Sequence, residues 1–517
     1  DGQPDRLTPS HTLVTSDQYN GLTYINGNRD WLLDNRLNVQ FSPALLYTFQ
    51  ALGTHNFKAG AQLAYMRYGR TTGAPGGYRY NDKVAGLPCI PGNPLTYSSC
   101  LQREEFEGSQ PKSDGSAGDG YSTSASALNV GVFVQDRWTI ARYLTVVPGM
   151  RIDAGLLWDG QNNQLTRMIG YGPRLSLIYD LLHDRTTLVR AHYGRHNDVG
   201  NAFVADKGNP QVVSRLYSWN PVTSAFDTKL RESGGAGNQL FDPAATPPKL
   251  DEASVGLQRE VLPQLVVGAD YTFRRYHNLW VNQEINQVWD PAGLRVIGSV
   301  DPSKPGQRVF YASTPEAAQR TYHGVDLWVS GSPGNFTLTA SYTLGFTSGT
   351  VLDYFETNGY GYNPRLSPLF NGDTPDNYRH FLKGLVDYHF DFGLNVGLRF
   401  QYRSGQPQWQ SFRSPADSSF TLYRTPRGTD TGISNGVAAT NNPQLWSDFR
   451  LPDQFPLDLQ VGYNLQKLTG QNIDLMMMIF NLLNIATPTA IDTRDGATYG
   501  QATRRLENLL AEFVIRY

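Results

Sequence analysis

The chain is poor in cysteine, in charge and in long apolar runs, and each shortage removes a class of protein. Only Cys89 and Cys100 occur among its 517 residues, eleven positions apart in a Gly/Pro-rich stretch. With no third cysteine and no histidine between them they make a poor zinc site. A loop disulfide suits the spacing and an oxidising compartment, with two free thiols as the alternative. If closed, the bridge would restrict the unfolded chain by about 2–3 kcal/mol. Charged residues make up 17% of the chain and the formal net charge is −2, so no basic footprint for nucleic acid exists. No run of 18 apolar residues encodes a transmembrane helix. The mean hydropathy of −0.42 does not exclude a transmembrane β-barrel, whose alternating strands average to a polar value. No signal peptide is visible at Asp1-Gly2-Gln3-Pro4-Asp5, so an exported form would have had its leader removed. Walker A, HExxH and metal-spaced Cys/His patterns are missing too, and no cofactor or metal is expected.

What the sequence does contain is turns and aromatics. Glycine (51) and proline (31) punctuate the chain, and aromatic residues reach 12%. Residues 1–35 are polar without a sustained period and read as a loop, placed outside the cell. From Arg36 the text becomes strand, with segments at 36–49 and 56–68 separated by a tight turn. A long insertion at 69–122 holds both cysteines. Strands then follow in pairs at 124–138 and 143–156, 171–181 and 186–195, 252–261 and 264–276. The pairs 321–331 with 335–347, 379–390 with 393–404, and 456–466 with 471–482 continue the rhythm. A final strand at 509–517 brings the count to fifteen. Short turns alternate with long loops throughout. An outer-membrane barrel segregates its connections this way, whereas a propeller or soluble sandwich does not.

The faces of these strands alternate as a lipid-facing wall requires. Phe336, Leu338, Ala340, Tyr342, Leu344 and Phe346 interleave with Thr337, Thr339, Ser341, Thr343 and Gly345. Leu394, Val396, Leu398, Phe400 and Tyr402 interleave with Asn395, Gly397, Arg399, Gln401 and Arg403. The apolar set is expected to face lipid and the polar set a wet lumen. Arg151, Arg190, His192, Arg399, Arg403, Asp458 and Asp474 are the expected lumen-lining residues. With the C-terminus placed on the periplasmic side, Tyr65, Tyr271, Phe273, Tyr342, Phe346, Phe400 and Tyr402 fall near outer strand ends. Tyr179, Tyr388, Phe390, Tyr463 and Tyr517 fall near inner ends. Two aromatic belts result, where amphipathic rings sit at the lipid–water boundary.

Several motifs now converge on one family. Val132-Phe133-Val134-Gln135-Asp136-Arg137-Trp138, followed by Leu144-Thr145-Val146-Val147-Pro148-Gly149-Met150-Arg151-Ile152-Asp153, resembles a recurring hairpin of TonB-dependent outer-membrane transporters. Pro173-Arg174-Leu175-Ser176 and Phe480-Asn481-Leu482-Leu483-Asn484 look like that family, and more closely like its Oar-like branch with a carboxypeptidase-regulatory-like domain. The terminal stretch Leu509 to Tyr517 also matches it: Phe513, Ile515 and Tyr517 share a face, and ending on an aromatic resembles the assembly signal of outer-membrane barrels.

The resemblance implies a barrel of 22 strands, a plug in its lumen and energy coupling through a TonB complex. No plug or TonB box lies within this sequence. Residues 36–517 are therefore expected to be the C-terminal part of such a barrel, its fifteen strands corresponding to the family's last fifteen. An antiparallel meander with an odd count cannot close on itself in antiparallel fashion. The expected partners are outer-membrane lipid, an N-terminal remainder of the barrel with its plug, the TonB complex and an unidentified transported ligand.

Catalytic signals are weak. Gly432-Ile433-Ser434-Asn435-Gly436 satisfies G-x-S-x-G, but its flanks read as loop, without the strand-to-helix elbow a nucleophilic serine needs. His192 and His196 share a strand face with Arg190, and a lumen row accounts for them better than a metal does. Asp492 and Asp495-Gly496 lack the remaining carboxylates of a calcium loop. Trp289, Trp409, Trp446, Tyr360 and Tyr362 sit in long loops, where they can pack loop on loop or hold a ligand. No enzyme is expected. A passive porin or surface scaffold is the alternative to coupled transport.

Overall fold

The computed structural model describes residues 10–14, 23–26, 31–83, 101–220, 222–291, 296–350, 372–374, 376–407, 450–492 and 501–517, with short strand pieces at 355–356, 410–413, 421–424, 433–434 and 437–438. Cys89 and Cys100, and the disulfide expected between them, lie outside the described residues.

Fifteen strands form one antiparallel meander. The first, β1, is Trp31–Phe41 continued as Ala44–Gln50. Both halves pair with β2 (Thr54–Gly73) in a single unbroken register, from Trp31 opposite Gly73 to Gln50 opposite Thr54. Pro43 has no N–H to give to the ladder, but its carbonyl accepts the Ala61 amide at 3.1 Å, so the register continues across it. There follow β3 (Tyr121–Ala141), β4 (Leu144–Trp158), β5 (Gln164–Asp180), β6 (Thr187–Asn197), β7 (Lys249–Leu262) and β8 (Leu265–His277). The series continues through β9 (Arg320–Gly331), β10 (Phe336–Gly349), β11 (His380–His389), β12 (Leu394–Arg403), β13 (Leu457–Asn464), β14 (Asp474–Phe480) and β15 (Leu510–Arg516). Each pairs antiparallel with its neighbour in sequence.

The expected fold class therefore stands, with three adjustments. The 1–35 loop contains strands Ser10–Val14 and Thr23–Asn26, and β1 begins at Trp31. The 69–122 insertion is shorter than read, because β2 runs to Gly73 and β3 starts at Tyr121. The loop expected up to residue 170 is only a tight turn, with Asp159 accepting the amides of Gln161 and Asn163 at 2.9 and 2.8 Å. That turn departs from the rule that one end carries only long loops.

The long connections fold against one another at that end. One sheet orders Ala225–Gly235, Gln211–Asn220, Leu101–Phe106, Tyr78–Lys83, Ser10–Val14 and Thr23–Asn26. A second orders Gln239–Phe241, Phe310–Ser313, Trp280–Glu284 and Phe355–Glu356. Glu284 holds this second sheet together: its buried carboxylate accepts the amides of Asn286, Gln287 and Val309 at 2.8, 2.9 and 3.1 Å.

Among the described residues no register joins β15 to β1. Both strands run from the long-loop end to the short-turn end, so a direct ladder between them would be parallel. β1 is exposed along nearly all its length after Trp31, and β15 likewise.

Candidate functional site

The two faces of the meander can be told apart by what covers them. A short helix, α1 (Ala202–Asp206), is capped by Asn201, whose side chain accepts the Val204 amide at 3.0 Å. It brings Ala202, Val204 and Ala205 onto Tyr68 of β2, Ala125 and Ala127 of β3, Leu157 of β4 and Met168 of β5, with Trp280 completing the cluster. This is the principal apolar core among the described residues. Burying each large aliphatic side chain there contributes about 1.5–3 kcal/mol. The strand positions it uses define the inner face, and period-two alternation carries that assignment along every ladder.

By those registers Arg151, Arg190, His192, Arg399, Arg403, Asp458 and Asp474 all occupy the inner face. Most are engaged with neighbours. Arg151 donates to Asp153 Oδ1 at 2.7 Å and to Gln62 Oε1 at 2.8 Å. Arg190 donates to both carboxylate oxygens of Asp270, at 2.9 and 3.3 Å, and Trp328 Nε1 donates to the same carboxylate at 2.6 Å. Arg403 donates to Gln454 at 2.5 Å. Asp458 accepts the Asn481 amide at 2.9 Å, and Asp474 accepts Asn464 Nδ2 at 2.7 Å. Arg399 lies directly opposite Asp458 in the ladder.

His192 and His196 both turn their Nε2 atoms toward the bare backbone of Gly194; a Cβ built there would sit 3.0 and 3.5 Å from them. Their Nδ1 atoms are occupied. His192 shares a hydrogen bond with Ser176 at 2.8 Å, and His196 accepts from Arg174 at 3.2 Å. Because arginine can only donate, neutral His196 carries its proton on Nε2, which leaves no lone pair there for a metal. No cluster of three metal-binding side chains occurs among the described residues.

The inner face is electrically lopsided. On β2 to β6 it carries Lys58, Arg70, Arg137, Arg151, Arg174 and Arg190 against Asp153 and Asp180. Asp153 is matched to Arg151, Asp270 of β8 is matched to Arg190, and Asp180 accepts the Arg185 amide in the turn below, which leaves Lys58, Arg70, Arg137 and Arg174 as the cationic excess. Two cavities open along this basic wall. One, of about 290 Å³, is bordered by Gln62, Arg151, Arg174 and His196 together with Asp153 and Asp198; the other, of about 310 Å³, by Lys58, Phe133, Arg151, Ser176 and His192.

Above them, between the outer ends of β2 and β3 and the folded loops, lies a cavity of about 560 Å³. Arg70, Tyr121, Asp206, Lys207, Asn238 and Arg308 are among its lining residues. Burial pushes the Lys207 ammonium below the usual lysine range; neighbouring Asp206 opposes that shift and Arg70 adds to it. Sequence reasoning passed over α1, Arg70 and Lys207. None stands in a periodic pattern, and only the loop's return onto the wall brings them together.

The opposite face is apolar and exposed. Phe513, Ile515 and Tyr517 lie on it, at 75%, 67% and 103% exposure. At the short-turn end an aromatic chain runs Phe336–Tyr388–Phe390–Phe392–Tyr463, with successive ring centroids 4.6, 4.6, 5.3 and 6.4 Å apart. Phe49, His55 and Trp138 stack at the same end, 4.5 and 5.2 Å apart. At the long-loop end tyrosines reach polar partners: Tyr271 to His323 at 2.8 Å, Tyr342 to His380 at 2.8 Å and Tyr402 to Asp453 at 2.6 Å. Trp289 is buried in the strand Gln287–Trp289 and so packs the loops. Trp409, Trp446, Tyr360, Tyr362 and Asp495-Gly496 lie outside the described residues. Ile433–Ser434 pairs with Val437–Ala438 as a small hairpin, which is not the strand-to-helix elbow of a serine nucleophile.

Comparison with known proteins agrees with this architecture. Residues 160–398 match a family model described as an outer membrane beta barrel domain. The chain is 23% identical over 544 aligned positions to the TonB-dependent transporter Oar of Myxococcus xanthus, covering 94% of this chain and 47% of that protein. It thus spans about half the length of the curated relative it matches. Among solved structures it is similar to the outer membrane transporter YddB from Escherichia coli, with a TM-score of 0.58 and 14% identity over 98% of this chain and 57% of that one. The pyoverdine receptor FpvA from Pseudomonas aeruginosa PAO1 gives a TM-score of 0.54 and 15% identity, over 97% and 55%. These structural likenesses establish the fold.

Proposed function

Starting from this likeness to Oar-type TonB-dependent transporters and an outer-membrane barrel domain, we propose that the chain forms the C-terminal wall of an energy-coupled outer-membrane transporter. The long loops are extracellular and gather a ligand at the mouth. The C-terminus is periplasmic, and the ligand descends along the inner face once a plug rearranges in response to a TonB complex. Phe513, Ile515 and Tyr517 serve insertion and assembly from the lipid side. The seven polar residues from Arg151 to Asp474 line the lumen. Residues 1–35 belong chiefly to the extracellular loops.

The observation that supports this most is the division of the sheet into two unlike faces: one paired, polar and covered by returning loops, the other apolar and rimmed by aromatics. The exposed edges at β1 and β15 add a constraint. A strand edge in hydrocarbon has no water to satisfy its amides and carbonyls, so further strands are proposed to pair with both edges.

The test is uptake. Cells expressing the full-length transporter should accumulate ligand only while the inner membrane is energised, and collapsing the proton gradient should abolish uptake without changing binding. Uptake that survives uncoupling would place the protein with passive porins instead.

A further inference from the structure

We infer that the 560 Å³ mouth cavity is a binding site for a compact, multiply charged anion bearing carboxylate or phosphate groups, with Arg70 as its anchor. This deepens the transport reading by naming a ligand class, and it rests on that reading only for the ligand's later passage. Arg70 belongs to β2 and lies on the inner face, at the outer end of the wall. Its side chain enters no hydrogen bond or ion pair with the described residues, and its Nε is buried without a partner. An arginine held this way presents a planar fork of donors that an anion can occupy in bidentate fashion. Lys207, Arg308 and Asp206, each with contacts of its own, line the same space. Asp206 is itself engaged, accepting Asn209 Nδ2 at 2.8 Å.

Three of the neutral side chains around the cavity are committed to protein partners. Tyr121 donates to the Pro210 carbonyl at 2.8 Å, Thr72 to the Trp31 carbonyl at 3.3 Å, and Gln239 Nε2 to Asn282 at 2.9 Å. The cationic side chains of the cavity favour an anion over a neutral glycan as its occupant. The cavity's size falls within the range of small-molecule sites. Its place on the inner face directs it toward soluble ligands and away from lipid headgroups. Below it Arg174 and Lys58 continue the cationic lining, while Arg151 is matched to Asp153.

Isothermal titration of the purified full-length transporter in detergent tests the assignment with three probes: pyrophosphate, tricarballylate and neutral maltose. Wild type should bind at least one of the two anions saturably, more weakly as salt rises, and maltose not at all. The preferred anion distinguishes a phosphate from a carboxylate ligand. Arg70→Gln should weaken that binding tenfold or more, and Arg70→Lys should restore part of it. Heat-modifiable migration of each variant establishes that the barrel is intact. Absence of anion binding, equal binding of maltose, or an Arg70→Gln variant that binds as wild type would overturn the inference. Energised uptake that is unaffected by Arg70→Gln would leave the transport reading standing without it.

Discussion

Asp270 shows how much of this wall depends on single side chains. Its carboxylate takes both Arg190 and the Trp328 indole N–H, and two glycines make room for it. A Cβ at Gly256 would fall 1.8 Å from Asp270 Oδ1, and one at Gly268 would fall 2.3 Å from the Trp328 ring. Asp270→Ala should destabilise the barrel by about 1–3 kcal/mol, since it leaves a guanidinium and an indole unpaired at once. Partial exposure of the pair places the expected value in the lower half of that range. Gly256→Ala should reproduce much of the loss by displacing the carboxylate. Urea unfolding in detergent, followed by tryptophan fluorescence, measures both. At this scale the sequence was half legible. That Arg190, His192 and Arg399 share a face follows from period-two spacing alone. That Arg190 meets Asp270, eighty positions away, depends on two ladder registers that no local pattern encodes.

At the scale of elements, strands were legible where lipid enforces alternation and less so where they leave it. The start of β5 shows the reason. Leu165 and Met168 have opposite parity yet both turn into the core beneath α1, helped by a register shift between Gln164 and Thr166. The period breaks there, and the segment reads as loop. The helix α1 itself is five residues long, too short to display a helical repeat.

The loop hairpin Gln211–Asn220 with Ala225–Gly235 supplies a pH prediction. Asp227 accepts Thr223 Oγ1 at 2.6 Å and Asn220 Nδ2 at 3.3 Å, and these bonds hold its carboxyl below the usual range. Glu232, beside Lys229 and Arg215, is lowered as well. A depressed folded-state pKa means stabilisation that is present above the unfolded pKa and lost as pH falls through the folded one. Hydrogen exchange in this hairpin, corrected for intrinsic rates, should quicken below about pH 4. Asp227→Asn should flatten that dependence. The terminal strand is tested differently. Tyr517→Asp replaces an interfacial ring with a charge and should reduce the outer-membrane level of the protein, read as the heat-modifiable band in membrane fractions. Wild-type abundance would remove Tyr517 from the assembly signal.

For the whole molecule, the number and order of strands came through in the sequence because connection lengths and face alternation are global regularities. What did not come through is the mouth, where loops of unrelated sequence build two further sheets, a buried carboxylate at Glu284 and a cationic cavity. Long-range contacts of that kind leave no periodic trace. The central claim is that one face of the meander meets lipid and the other meets water. Nitroxide labels at successive positions of β10, from Phe336 to Gly349, test it in outer-membrane vesicles. Labels at 338, 340, 342 and 344 should collide readily with oxygen, and those at 337, 339, 341 and 343 with a water-soluble relaxation agent, giving a clean period of two. Uniform accessibility along the strand, or alternation in the opposite phase, would contradict the account.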